Sequence, residues 1–188
     1  MSKRLGLMSC ILGMMLILGA CQGARPEPSK PQGTTAAIRL ESSAFSAEGL
    51  IPKQHTCDGQ DLSPPLSWSE TPAGAQSLVL ICDDPDAPIG TWDHWILFNI
   101  PSTVRSLPEG IPAEAEVVGI GRHGLNSWKR LGYGGPCPPQ GSTHRYYFRL
   151  YALDTMLDLE AGASKKEVER AMEGHVLAFG QLMGRYGR

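Results

Sequence analysis

The chain lacks a strong net charge, a paired metal-ligand spacing and an evident activated nucleophile, and each shortage closes off a class of function. Its 188 residues carry 17 Lys and Arg against 19 Asp and Glu, a formal charge of −2 with a pI near 6.2. That balance offers no electrostatic footprint for neutralising nucleic-acid phosphates, so DNA and RNA are set aside as partners. No Cys-x-x-Cys or His-x-x-x-His pair occurs, which argues against a zinc site, and no metal or other cofactor is expected. What the chain has in abundance is turn chemistry. Its 22 Gly and 15 Pro occupy 37 of 188 positions, against roughly 12% in average proteins. Such density argues against a helical bundle and for a turn-rich β architecture. At 41% hydrophobic and 19% charged, the composition is that of an ordinary globular domain.

A long uncharged run lies at the start. Lys3 and Arg4 precede sixteen uncharged residues, Leu5 to Ala20, the layout of a secretory signal and slightly short for a membrane-spanning helix. The run ends Leu18-Gly19-Ala20-Cys21, which resembles the lipobox of bacterial lipoproteins. Residues 1–20 are therefore expected to be a lipoprotein signal peptide and Cys21 the point of lipid attachment. The plainer alternatives are an ordinary signal ending at Cys, or an uncleaved anchor. Residues 21–37 are expected to be the lipidated Cys and a Pro-rich tether. Residues 22–36 hold three prolines and no large apolar side chain, so they cannot bury surface, and fifteen residues reach at most about 50 Å. Losing residues 1–20 removes two bases and no acid, leaving 15 basic against 19 acidic residues, a balance of −4. No polybasic patch then remains for anionic lipid. Gln22 after Cys21 points to the outer membrane by analogy with lipoprotein sorting. The expected location is the bacterial cell envelope, lipid-anchored and facing the periplasm.

Export shapes the cysteine arithmetic. Cys10 leaves with the signal and Cys21 carries lipid, so Cys57, Cys82 and Cys137 remain in an oxidising compartment. Three cannot all pair. Cys82 ends the apolar run Leu78-Val79-Leu80-Ile81-Cys82 and reads as a buried small hydrophobe. Cys57 and Cys137 lie in polar, turn-rich loops and can pair as a disulfide.

From residue 38 the hydrophobic period is two for most of the length. Residues 77–83 and 94–100 are apolar on both faces and rich in branched and aromatic side chains, as central strands are. A third strand is predicted from His144 to Leu153, with shorter ones at 38–45 and 116–120. The prediction is a mainly β fold, a β-sandwich of two antiparallel sheets. Near the C-terminus, Ser164-Lys165-Lys166-Glu167 is a capping box. Val168, Met172, His175, Phe179 and Leu182 come after it at steps of four, three, four and three, which predicts an amphipathic helix of about twenty residues ended by Gly184 and Gly187. His175 on that stripe reads as a buried, hydrogen-bonded core histidine rather than a ligand.

Chemistry concentrates in two stretches. Asp83-Asp84-Pro85-Asp86-Ala87-Pro88 leads through Gly90, Trp92 and Asp93 to His94. Three carboxylates within four residues repel one another, so the cluster is a cation or hydrogen-bond site, a turn device or a solvated loop. The second stretch is Gly132-Tyr133-Gly134-Gly135-Pro136-Cys137-Pro138-Pro139-Gln140-Gly141, with His144-Arg145-Tyr146 just beyond it. Glycines let backbone N–H groups approach an anion, and successive prolines stiffen a preformed rim. By alternation His144, Tyr146, Phe148 and Leu150 share one strand face, with Arg145 on the other.

Asp84-Pro85-Asp86-Ala87-Pro88 with its downstream Trp-x-His, and Gly135-Pro136-Cys137-Pro138-Pro139 with His144-Arg145-Tyr146, resemble the two signature regions of the phosphatidylethanolamine-binding protein family. The likeness covers residues 38–188. Asp58-Gly59, Ser63-Pro64-Pro65-Leu66-Ser67-Trp68 and Glu173-Gly174-His175 are similar to its bacterial and archaeal, Raf-kinase-inhibitor-like branch. The resemblance implies a Greek-key sandwich with a small anion pocket at one edge. It implies a ligand-binding set of Asp84, Asp86, Pro88, His94, Gly135, Pro138, Pro139, His144 and Tyr146. In that set His94 and Tyr146 would donate to a phosphate or carboxylate, Gly135 would offer its backbone N–H, and Asp84 or Asp86 would take a ligand ammonium. Arg145 would pair with an acid beneath the rim. Asp93 stands where animal relatives carry a second histidine, and bulky Trp95 comes directly after His94.

Three functions compete. The first is a non-enzymatic binder of small anions or phospholipid head groups, such as that of phosphatidylethanolamine. The second is an inhibitor of an envelope or secreted serine protease, because some members of the family inhibit such enzymes. The third, a hydrolase using His94, His144 and the carboxylates, lacks a nucleophile with an oriented base.

Overall fold

The computed structural model describes residues 36–188. The expected signal peptide, Cys21 and nearly all of the expected tether lie outside the described residues. Ten strands are present: β1 (Ala36–Ala37), β2 (Leu40–Glu41), β3 (Leu66–Trp68), β4 (Ser77–Asp84), β5 (Trp92–Pro101), β6 (Ser106–Leu107), β7 (Glu116–Val117), β8 (Gly121–His123), β9 (Thr143–Leu153) and β10 (Val176–Gly187). One helix, α1 (Lys165–Met172), and a single 3₁₀ turn at Lys53–His55 complete the set. The large sheet runs β1-β10-β9-β4-β5-β8-β7 and the small one β2-β3-β6. Within the large sheet, β9 returns past β8 and β5 to lie beside β4, the Greek-key order. The pairings are antiparallel except at one edge, where β1 runs parallel to β10, so the large sheet is mixed.

The two-sided apolar character of the central strands reflects two cores. Leu78, Leu80 and Cys82 of β4 join Trp95, Leu97, Tyr146, Phe148 and Leu150 in the layer under the small sheet. Val79 and Ile81 point the other way, packing with Ile96, Phe98, Leu153, Val168 and Met172 under α1. Burial on both faces removes any polar alternation from β4, all of whose residues are buried.

The predicted twenty-residue helix is corrected. Its capping box forms, with Ser164 Oγ accepting from the Glu167 N–H and the Glu167 carboxylate accepting from the Ser164 N–H. The helix nevertheless ends at Met172, and Gly174 at φ +80° turns the chain. The chain then enters β10, paired with β9 over nearly its whole length. Phe179 and Leu182 matched helical spacing by coincidence. The decisive pattern is Ala178, Gly180, Leu182 and Gly184, alternate residues that are all buried on one strand face. A Cβ on Gly184 would come within 2.6 Å of Ile51, and one on Gly180 would collide with the Ile38 backbone. Those glycines admit close neighbours; they do not end a helix. His175 is corrected with it, being half-exposed and paired with Asp154 at 2.8 Å.

Cys57 and Cys137 form a disulfide, and Cys82 is a buried free thiol.

Candidate functional site

A cavity of about 530 Å³ opens at one end of the large sheet, where β4 ends, β5 begins and β9 begins. Its polar floor is Asp84, His94 and His144; Pro88, Gly135, Pro138 and Pro139 line it as well.

Backbone irregularity aims His94. Cys82 opposes Trp95, but the next β4 residue, Asp83, opposes Asp93, so β5 carries one extra residue at this point. Simple alternation would send His94 to the α1 side with Ile96 and Phe98. The bulge turns it to the cavity instead and leaves Asp93 on the α1 side. There Lys165 Nζ bonds Asp93 at 2.9 Å and Asp83 at 3.0 Å, and Arg149 also holds Asp83. Burial opposes the Lys165 charge, but the two carboxylates outweigh it and raise its pKa. This buried charge cluster ties the ends of β4 and β5 together directly behind the residues that reach the cavity.

The crowd of carboxylates is neutralised internally. Asp84 accepts from His144 Nδ1–H at 2.7 Å through one oxygen and from the Asp86 N–H at 2.8 Å through the other. Asp86 is gripped by Arg145 through Nε at 2.9 Å, Nη2 at 2.7 Å and the backbone N–H at 3.0 Å. The Arg145 hydrogen bonds hold the Asp86 carboxyl below its ordinary pKa. Asp86 is thus a rim strut whose charge is spent on Arg145, and it is not among the cavity-lining residues.

Two other expected roles change. The Gly135 N–H already donates to Asp61 Oδ1 at 2.6 Å, so it is committed within the protein. A Cβ there would collide with the His55 carbonyl and the Asp61 carboxylate, so glycine is required for packing. Tyr146 is fully buried beneath His94, edge-on with ring centroids 5.1 Å apart. Its hydroxyl has no hydrogen-bond partner among the described residues, and burial raises its pKa.

His94 Nδ1 lies 2.6 Å from the Gly134 carbonyl oxygen, which can only accept, so the proton sits on Nδ1. Burial lowers the His94 pKa, against the Gly134 bond and the carboxylates of Asp84, Asp83 and Asp93, which pull it up. The unfolded chain therefore takes this proton more readily than the folded one. Stability is lost as pH falls below the free imidazole value of about 6.5. Urea midpoints are expected to decline from pH 7 to pH 5, with a shallower decline in His94→Gln; a midpoint that rises toward acid contradicts this.

Apart from Trp92, which belongs to the Trp-x-His signature, sequence reasoning missed the cavity's aromatic and cationic walls. Trp92 and Trp128 meet edge to face at 5.4 Å, and Trp128 also packs edge-on against His94. Arg130 lies over the Trp128 ring, and Arg188 pairs with Asp58 at 3.1 Å. Asp61, Ala87 and Ile89 complete these walls. The disulfide joins two of them, because Cys57 comes just after the 3₁₀ turn and Cys137 sits in the proline rim. Arg188 reaches the cavity only because β10 is a strand ending beside β9, which the helix reading concealed.

The fold and cavity define a Greek-key sandwich with a small edge pocket walled by histidines and prolines. The phosphatidylethanolamine-binding protein family matches residues 41–187, and the chain belongs to that family. A UPF0098 protein of Methanothermobacter thermautotrophicus is 54% identical over 151 residues, covering 80% of this chain and 99% of that protein. One from Pyrococcus horikoshii is 46% identical over 187 residues, covering 97% and 89%. Among solved structures, a phosphatidylethanolamine-binding protein homologue of Chlamydia trachomatis is 44% identical with a TM-score of 0.74, covering 82% of this chain and 99% of its own. Escherichia coli YbcL, described as a member of the mammalian family, is 28% identical with a TM-score of 0.72, covering 80% and 98%.

Proposed function

We propose that the chain is a non-enzymatic binding protein for small anionic ligands, phosphate or carboxylate head groups such as that of phosphatidylethanolamine, held at the bacterial cell envelope by lipid on Cys21. The observation that carries this is the state of the cavity's polar groups. The Asp84–His144 pair and His94 face a preformed hollow, while Asp86 is cancelled by Arg145. No hydroxyl, amine or free thiol lines the cavity among the described residues, since Cys57 and Cys137 are joined. Covalent routes through a serine, threonine, lysine or cysteine therefore lack their nucleophile there.

Calorimetric titration with inorganic phosphate and phosphoethanolamine is expected to give saturable binding that His144→Ala weakens about tenfold or more. Phosphoesters and carboxylic esters are expected to remain unhydrolysed. Turnover abolished by His94→Ala would overturn the reading.

Lipid anchoring is tested separately. Cys21→Ser is expected to move the protein from the detergent phase into soluble periplasmic extract, because several acyl chains anchor far better than none. Unchanged partitioning would remove the lipoprotein part.

One observation favours protease inhibition as a second reading. Ile89, 82% exposed, stands at the cavity mouth between Pro88 and Gly90, presented as a side chain for a protease specificity pocket would be. Under that reading Ile89→Gly abolishes inhibition of an envelope serine protease, while His144→Ala, which weakens phosphate binding, leaves inhibition in place.

A further inference from the structure

We infer that the cavity selects an oxyanion arriving with one proton, a phosphomonoester in its monoanionic form, over a phosphodiester. This rests on the anion-binding reading and narrows it, away from the phosphodiester of intact phosphatidylethanolamine and toward free phosphomonoesters. The geometry at His94 carries it. Its Nδ1–H is spent on the Gly134 carbonyl at 2.6 Å, so the neutral ring has only a lone pair left at Nε2. Among the described residues the His94 ring's one hydrogen bond is that from Nδ1 to Gly134, and His94 lines the cavity. A fully deprotonated oxygen set against that lone pair is repelled. A P–OH group donates to it. Phosphodiesters carry no such proton near neutral pH, whereas a monoester holds one until its second ionisation near pH 6.

The surrounding charges point the same way. Asp84 and Asp83 approach His94 from β4 and Asp93 from its own strand. Tyr146 of β9 and Trp128 supply uncharged rings on either side. Across the hollow stand the carboxylate of Asp61, the imidazole of His144 and the guanidiniums of Arg130 and Arg188, the last already paired with Asp58. Fixed acids and bases in the lining are therefore close to balanced, and a monoanion suits that balance better than a dianion beside Asp84 and Asp61.

The consequence is proton uptake. At pH 8 a free monoester is mostly dianionic, so its binding draws one proton from solution, while at pH 6 much of the ligand already carries it. Phosphoethanolamine and glycerophosphoethanolamine share the same ammonium and differ as monoester and diester. Both are titrated calorimetrically into the unmutated full chain at pH 6 and pH 8, in two buffers of different ionisation enthalpy. Phosphoethanolamine is expected to bind about tenfold or more tighter than the diester at pH 6. It is also expected to weaken about tenfold or more by pH 8 and to take up one proton there. His94→Gln is expected to erase both the preference and the uptake. Equal affinities, no uptake by the monoester, or uptake with both ligands would overturn the inference while leaving the anion site standing. If neither compound nor inorganic phosphate binds, the anion-binding reading itself fails and this one falls with it.

Discussion

Replacing both Cys57 and Cys137 with Ser is expected to lower the unfolding free energy by about 4 kcal/mol, the chain-entropy value for a closed loop of this size. The bridge spans 80 residues of sequence, and that interval contains β3 to β8 and the whole stretch from Asp83 to His94. Its removal frees the unfolded chain more than it disturbs native packing. A second effect is local. Both cysteines line the cavity, one after the 3₁₀ turn and one in the proline rim, so the double variant is expected to bind phosphate more weakly even where it is fully folded. Urea unfolding of the oxidised chain, the reduced chain and the double variant checks the first effect. Coincident midpoints in all three would contradict it.

The second large effect is expected at Asp83, on the opposite face of the sheet. Asp83 is 1% exposed and holds Arg149, itself 4% exposed, together with Lys165. Asp83→Leu strands the Arg149 guanidinium without its carboxylate, at an expected cost of about 3–5 kcal/mol. Replacing Asp83, Arg149 and Lys165 together by apolar residues of similar size is expected to cost far less, because the fully buried pair is removed as a unit and only the partly exposed Asp93 loses a partner. Denaturation of the single and triple variants separates the two accounts. If the triple variant falls as far as the single one, the loss is one of packing and not of an unpaired charge.

Much of the fold was readable in the sequence, for identifiable reasons. Residues 77–84 and 143–153 announce central strands because neither face meets water, so apolar residues fill both. Asp84, His94 and His144 were visible as chemistry because charged and imidazole groups at the ends of such strands need an explanation. What those groups do was less visible. The neutralisation of Asp86 depends on Arg145 crossing to a loop 59 residues earlier in the chain, and the orientation of His94 depends on one extra residue in β5. Neither a long-range pairing nor a bulge leaves a mark on local periodicity. Residues 176–187 were misread because Phe179 and Leu182 also satisfy a helical repeat. Gly174 ahead of the alternating Ala178, Gly180, Leu182 and Gly184 is the signal that separates the two. Trp128, Arg130 and Arg188 carry no motif and enter the cavity only through tertiary placement.

The central claim is that an anion is held where β4, β5 and β9 meet. Nitrogen–proton correlation spectra of the labelled chain, titrated with phosphoethanolamine, test it most directly. Saturable shifts are expected at the His94 and His144 ring nitrogens, the Trp92 and Trp128 indole N–H groups and the Gly134 and Gly135 amides, with the rest of the sandwich unmoved. Shifts scattered over surface arginines and lysines, or no saturable change at the two histidines, would contradict it.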